Sequence, residues 1–186
     1  MVIGRVVSVN VGSPRNVLWN RDNVTTAIFK EPIAGRVKIR TLGLDGDKQA
    51  DLTAHGGPKK AVYAYPSEHY EFWKRELDQA SMPWGMFGEN LTTQGLLEDE
   101  VRLMDEYRIG SATLVVTRPR FPCYKLGIKF GSMEMVSQFQ KSGRSGFYFS
   151  VKEEGAVSAG DGIELIQSHK AQPTIATILA SKREEG

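Results

Sequence analysis

The chain has 186 residues, 40% of them hydrophobic and 25% charged, proportions that argue against disorder and against a fibrous architecture. Lys and Arg number 24 against 22 Asp and Glu, and a net charge of +2 does not by itself select a nucleic acid, a membrane surface or a polyanion as partner. A single cysteine, Cys123, rules out an internal disulfide, a structural zinc cluster and a CxxC redox pair, so whatever it does it does as a lone thiol.

The opening residues lack the apolar core and cleavage site of a secretion signal, and no later apolar run reaches bilayer-spanning length. A cytoplasmic protein with no membrane partner is therefore expected. Short β-rich runs then follow one another between glycine, proline and aspartate punctuation: Gly4 to Val11, Ala61 to Ala64, Ala112 to Thr117 and Gly146 to Val151. Between the first two lies a polar loop, Gly43-Leu44-Asp45-Gly46-Asp47-Lys48-Gln49-Ala50-Asp51, that runs on to His55-Gly56-Gly57. Its Asp-x-Asp start is not a calcium loop, because Gln49 and Ala50 occupy an acceptor position and the turn-glycine position, and Gly56 stands where the bidentate glutamate belongs. Backbone beside two glycines can approach a ligand closely, and His55 can donate or accept a proton there; the alternative is a turn whose histidine is merely satisfied.

Tyr70, Trp73 and Leu77 recur at helical spacing, which predicts a helix over 67–77 with Ser67 capping its start. Next comes Trp84-Gly85-Met86-Phe87-Gly88-Glu89-Asn90, where Asn90 offers amide donors and a carbonyl acceptor to a ligand edge, or else shapes a turn with Glu89. The segment Arg118-Pro119-Arg120-Phe121-Pro122-Cys123-Tyr124-Lys125 carries the strongest chemical signal. No acidic residue occurs from Tyr107 to Met133, while Arg108, Arg118, Arg120, Lys125 and Lys129 all do. Positive neighbours favour a thiolate, the nucleophilic and soft metal-binding form of cysteine. The prolines stiffen the backbone that presents it, and Pro122 is placed to start a helix. Against this stands the commonest fate of a free cysteine, that of a small buried hydrophobe.

A second helix is expected after Cys123, and a third over 133–140 with Met133, Val136 and Phe139 or Gln140 on one face. Gly155 to Ile166 reads as a tight turn feeding a closing strand. We therefore divide the chain into a domain over 1–168 and a tail or short helix over 169–186. His69 falls on the first helix and His169 in the tail, and neither is given a role.

Taken together, these segments resemble the MOSC domain, the molybdenum-cofactor sulfurase C-terminal module, in its free-standing bacterial, YiiM-like branch. The resemblance runs from about Gly4 to Ile166. It rests on the Gly-Leu-x-Gly-Asp-x-Gln-x-Asp loop with His55-Gly56-Gly57, on Phe87-Gly88-Glu89-Asn90-Leu91, on Pro119-Arg120-x-Pro122-Cys123, and on Gly160-Asp161. It implies a mostly β fold, a strongly curved barrel-like sheet with a few helices, akin to the pyruvate-kinase β-barrel. It further implies a molybdenum cofactor, with Cys123 as the metal's thiolate ligand in a reductase of small N-hydroxylated compounds. In that setting Arg118, Arg120 and Lys125 are candidates for the pterin phosphate, Asn90 for the pterin edge and His55 for the proton donor. Electrons would come from an external redox protein, since no flavin, haem or iron–sulfur motif is present.

Two other functions stay open. In one, Cys123 accepts persulfide from a separate pyridoxal-phosphate desulfurase and carries sulfur to a metal centre; in the other, the chain is a non-catalytic anion-binding module. The sequence departs from the family twice. Leu103-Met104-Asp105-Glu106 replaces a usual Gly-Asp turn, and where relatives continue into a small helical domain, only Thr174 to Leu179 is read as a remnant.

Overall fold

The structure is a computed structural model that describes residues 1–48 and 56–184. In chain order it contains β1 (Val2–Val11), β2 (Arg15–Trp19), β3 (Asp22–Thr26), β4 (Glu31–Pro32), β5 (Val37–Arg40) and β6 (Gly43–Leu44). There follow β7 (Val62–Pro66), α1 (Glu68–Glu76), β8 (Leu91–Gln94), β9 (Glu106–Ile109), β10 (Ala112–Pro119), α2 (Tyr124–Phe130) and α3 (Glu134–Ser142). The chain ends with β11 (Phe147–Glu153), β12 (Gly155–Val157), β13 (Gly162–Gln167) and α4 (Ile175–Glu184). No helix among the described residues is long and apolar enough to cross a membrane.

The expected curved sheet is a closed one. Seven strands run β1–β8–β7–β11–β10–β9–β13, and β13 returns to pair with β1. The long β1 can serve both edges because its register shifts between Val2 and Gly4 against β13 and between Val6 and Ser8 against β8, and such bulges bend a strand around a corner. Closure also uses the Gly160-Asp161 motif: the Val6 amide donates to the Asp161 carbonyl at 2.9 Å, and the Gly160 amide to the Val6 carbonyl at 2.8 Å. Valine, isoleucine and phenylalanine side chains such as Val9, Ile109, Leu114, Phe149 and Ile163 fill the interior.

A second core lies outside the barrel wall, and β7 serves both. Its alternation sends Val62 and Ala64 into the barrel and Tyr63 and Tyr65 outward, so all five of its residues are buried. The outward tyrosines meet Tyr70 and Trp73 from α1, Leu126 from α2, Met135 and Phe139 from α3, and Phe87. Trp73 and Phe139 stack with centroids 5.9 Å apart, and the Trp73 indole donates to the Tyr65 hydroxyl at 2.8 Å. The β7–α1–β8 unit is a parallel crossover.

Several local expectations need correction. Ser67 gives no side-chain cap to α1, because its own backbone is already helical (φ −63°, ψ −24°) and its hydroxyl points to Glu68. Pro122 does not open α2; the helix begins one residue beyond Cys123, whose backbone is extended (φ −120°, ψ 174°). On α3 the buried face carries Met135 and Phe139, while Met133 precedes the helix and is exposed. Within the stretch read as a tail or short helix, Ile175–Glu184 forms α4, and its Ile175 and Leu179 join the barrel core. The segment is tied down by amide bonds from Ile175 to the Val101 carbonyl (2.9 Å) and from Ala176 to that of Glu98 (2.8 Å).

Candidate functional site

Cys123 leaves β10 through the Pro-Arg-Phe-Pro segment and stands half-buried at the head of α2, with no side-chain bond to the helix. Its neighbourhood is a cleft of about 100 Å³ on the outer face of the barrel. Thr26, Ala27 and Ile28 line it where the β2–β3 hairpin ends, and Cys123 and Lys125 where α2 begins. The floor comes from Tyr63, Tyr148 and Arg120, and the far end from Lys30, Asp47 and Asn90. Of the residues selected from sequence, Cys123, Arg120, Lys125 and Asn90 thus share one cavity. Arg118 is exposed on β10 and does not line it, although its charge reaches Tyr148. His55 lies outside the described residues.

Arg120 is 6% exposed, and among the described residues its guanidinium bonds neutral partners: Nη1 donates to the Phe87 carbonyl at 2.8 Å and to the Tyr63 hydroxyl at 3.2 Å. Burial works against the charge, but the tyrosine oxygens of Tyr63 and Tyr148 and the Cys123 sulfur outweigh it and raise the group's pKa further. With the Tyr63 ring centroid 4.9 Å and that of Phe139 5.3 Å from its central carbon, the guanidinium is locked in plane. It is a fixed cation beside the thiol, with no carboxylate among the described residues bonded to it.

The acidic motif residues hold loops. Asp47, buried, accepts from Lys30 Nζ (2.6 Å) and from the Gly12 amide (2.9 Å) on Oδ1, and from Asn90 Nδ2 (2.9 Å) on Oδ2. Asn90 in turn accepts from the Tyr63 amide on Oδ1 at 3.0 Å, so its amide is spent on the protein and braces the end of the cleft. Glu89 is fully buried and gathers the Gly85 amide (2.9 Å), the Phe87 amide (3.1 Å), the Thr92 hydroxyl (2.9 Å) and a short bond from the Tyr70 hydroxyl. Burial pushes its carboxyl up, and those donors pull it back. They hold a turn in which Gly85 and Gly88 take φ of 83° and 81°. A side chain on Gly85 would collide with the Lys30 backbone at 2.7 Å.

Sequence reasoning missed Tyr63, Tyr148, Lys30 and Lys60. Nothing in their local pattern marks them, since each reaches the cleft only when distant elements meet. A partial signal existed for Tyr63, an aromatic residue in a run of small and branched ones. Tyr148 packs 5.1 Å from the Tyr63 ring, and burial, first among its influences, pushes its phenol up.

The MOSC domain model matches residues 51–164, more than half of the chain. The chain belongs to the MOSC domain family. It is 42% identical to the protein YiiM of Escherichia coli over 143 residues, which are 76% of this chain and 64% of that one. It is 33% identical over 147 residues to a protein of Gibberella moniliformis called a reductase, covering 77% of this chain and 26% of the fungal one. The crystal structure of YiiM from Geobacillus stearothermophilus superposes with a TM-score of 0.81 at 34% identity, covering 98% of this chain and 85% of that chain. The MOSC chain thus spans less than two thirds of these two curated relatives. A molybdenum-cofactor-associated role is consistent with this membership.

Proposed function

We propose that this MOSC protein binds the molybdenum cofactor through the Cys123 thiolate and serves in the reduction of N-hydroxylated compounds. The observation that carries the reading is the pairing, in one cleft, of a half-buried cysteine with a buried cation, Arg120, to which no carboxylate among the described residues is bonded. The donor set suits the cofactor. A soft sulfur matches a soft metal, and Lys125 and Arg120 give the same cavity the positive charge an anionic, phosphorylated pterin requires. Cys123 would hold the metal and Lys125 the anionic end, while Asn90 keeps Asp47 in place. The name of the fungal relative supports the reductase part.

When bound, the cofactor supplies two-electron removal of oxygen. The rest falls to the chain. Replacing N–OH by N–H consumes two electrons and two protons and releases water. Tyr148 Oη, kept protonated at neutral pH, is a donor at the floor beside Cys123. Arg120 fixes the electrostatics there without needing to move. Ala27 and Ile28 add an apolar lining that limits water.

The test is molybdenum and pterin analysis of protein made in a cofactor-producing host, alongside Cys123→Ser. We expect both in the wild type and neither in the variant. Cyanolysable sulfur on a molybdenum-free wild type would instead support the sulfur carrier, and the absence of both would leave the anion-binding module.

A further inference from the structure

Cations stand beside the cleft where the hairpin meets α2. Lys125 lines the cleft, and Lys129, one turn further along α2, lies on the same side of that helix. Arg15 is the hairpin partner of cleft-lining Thr26, so the two side chains leave the same face of the hairpin. Phe29, next in the chain to cleft-lining Ile28, joins the two elements: the Arg15 guanidinium carbon is 3.7 Å and Lys129 Nζ 4.8 Å from its ring centroid. Among the described residues no ion pair engages Arg15, Lys125 or Lys129. Lys129 is half-buried, and burial first, then Arg15, lower its pKa against weaker opposite influences from Glu89 and Glu31. Like charges sharing one ring repel. Stacking, moreover, engages only the flat face of a guanidinium and leaves its N–H edge to fork onto the oxygens of an anion.

We propose that Arg15 and Lys129 form a phosphate subsite, and that the N-hydroxylated substrate is a nucleotide, with its base in the cleft and its phosphate on these two cations. The inference deepens the reductase reading above and rests on it. The nitrogen-bound hydroxyl to be removed is uncharged and needs no cation. A phosphate monoester, by contrast, is an anion that accepts both from a guanidinium fork and from an ammonium. Spacing agrees: Lys129 lies about 9 Å along α2 from Cys123, a length comparable to that from the exocyclic nitrogen of a nucleobase to the phosphate of its nucleotide. With Lys125 assigned to the anionic end of the cofactor, the pair one turn further on is left to a second phosphate. A free base or a nucleoside would leave both cations without a counter-charge.

The experiment uses holoprotein from a cofactor-producing host, with reduced methyl viologen as electron donor, and compares N-hydroxylated adenine with its nucleoside monophosphate. We expect kcat/KM for the nucleotide to exceed that for the base roughly tenfold or more in the wild type. In the double variant Arg15→Gln with Lys129→Gln the ratio should fall to near one, through a loss in the nucleotide's kcat/KM. The single substitutions, each expected to remove part of the preference, decide the matter if the pair does not fold. Equal values for base and nucleotide in the wild type, or a preference the substitutions leave unmoved, overturn the subsite. A nucleotide joined to the cofactor would present the same phosphate chemistry, and acid extraction of the holoprotein separates the two sources: a nucleoside monophosphate released in step with molybdenum overturns the assignment to substrate. If neither compound turns over, the reductase reading fails, and calorimetric titration with adenosine monophosphate and with adenosine decides the subsite separately. Tighter binding of the monophosphate, weakened by the two substitutions, upholds it. Equal affinities, no binding of the monophosphate, or an affinity the substitutions leave unmoved overturns it.

Discussion

Met104 adopts φ 68°, the left-handed region that costs a side chain about 1–2 kcal/mol. The turn it forms is held by Asp105, buried, which accepts from the Arg102 amide at 3.0 Å and the His169 amide at 2.7 Å. Met104 thus stands, where the family usually has the glycine of a Gly-Asp turn, in a backbone conformation that glycine favours. Since half of Met104 is exposed, little packing is lost on its removal. Met104→Gly is expected to stabilise the protein by roughly 0.5–1 kcal/mol, after subtracting the extra freedom glycine has when unfolded. Urea denaturation followed by circular dichroism checks it, and a lower midpoint would contradict the account. The same contrast between residue type and setting governs what could be read from sequence at the site. Cys123 was legible because charge and proline cluster around it in the chain. Arg120 and Asn90 were legible as participants but not in their manner: the sequence cannot reveal that Arg120 is buried against Tyr63 and Phe87, or that the Asn90 amide is consumed by Asp47 and the Tyr63 backbone.

At the scale of elements, the strands were easy to anticipate, because alternation and glycine punctuation are local signals, while the helix faces were not. The third helix is expected to carry Met133, Val136 and Phe139 or Gln140 on one face; Phe139 is buried and Val136 packs beside it, but Met133 is exposed and Met135 takes its place, because the aromatic layer of Trp73 and Phe87 selects that side. Barrel closure by β13 on β1 involves residues some 160 apart in sequence and leaves no local trace. The last helix is the clearest case. Read from the chain alone, Thr174 to Leu179 is an apolar stretch with no destination; in the fold, Ile175 is fully buried in the barrel core and its amide is bonded to Val101. Ile175→Ala is expected to cost about 2–5 kcal/mol, as for other deletions of buried branched side chains. Thr177→Ala is the contrasting substitution on the same helix: Thr177 is more exposed, and only its hydroxyl contact with Thr174 is removed. If thermal melting places the two variants within about 0.5 kcal/mol of each other, α4 is not part of the domain's cooperative core.

Two cores share strands: β7 serves both, and β11 sends Phe147 and Phe149 into the barrel and Tyr148 against the aromatic layer. Were the barrel and the aromatic layer separable, the layer of α1, α2 and α3 could melt first and leave the barrel standing. The alternation of β7 argues otherwise. Tyr63 and Tyr65 cannot leave the outer layer without disturbing Val62 and Ala64 on the inner face, and Arg120 links the two again, with its amide bonded to the Gly146 carbonyl beside β11 and its guanidinium set among Tyr63, Phe87 and Phe139. The site sits on this seam, which gives Cys123 a rigid floor. One transition is therefore expected in urea. Trp73 lies in the outer layer, so its fluorescence reports that layer, while pulsed hydrogen exchange of the strand amides at each urea concentration reports the barrel; replacing Trp19 on the hairpin by Phe removes a competing signal. The two curves should coincide in midpoint and slope. A fluorescence transition that comes at distinctly lower urea would mean that the layers unfold separately and that the cleft can be lost while the barrel persists.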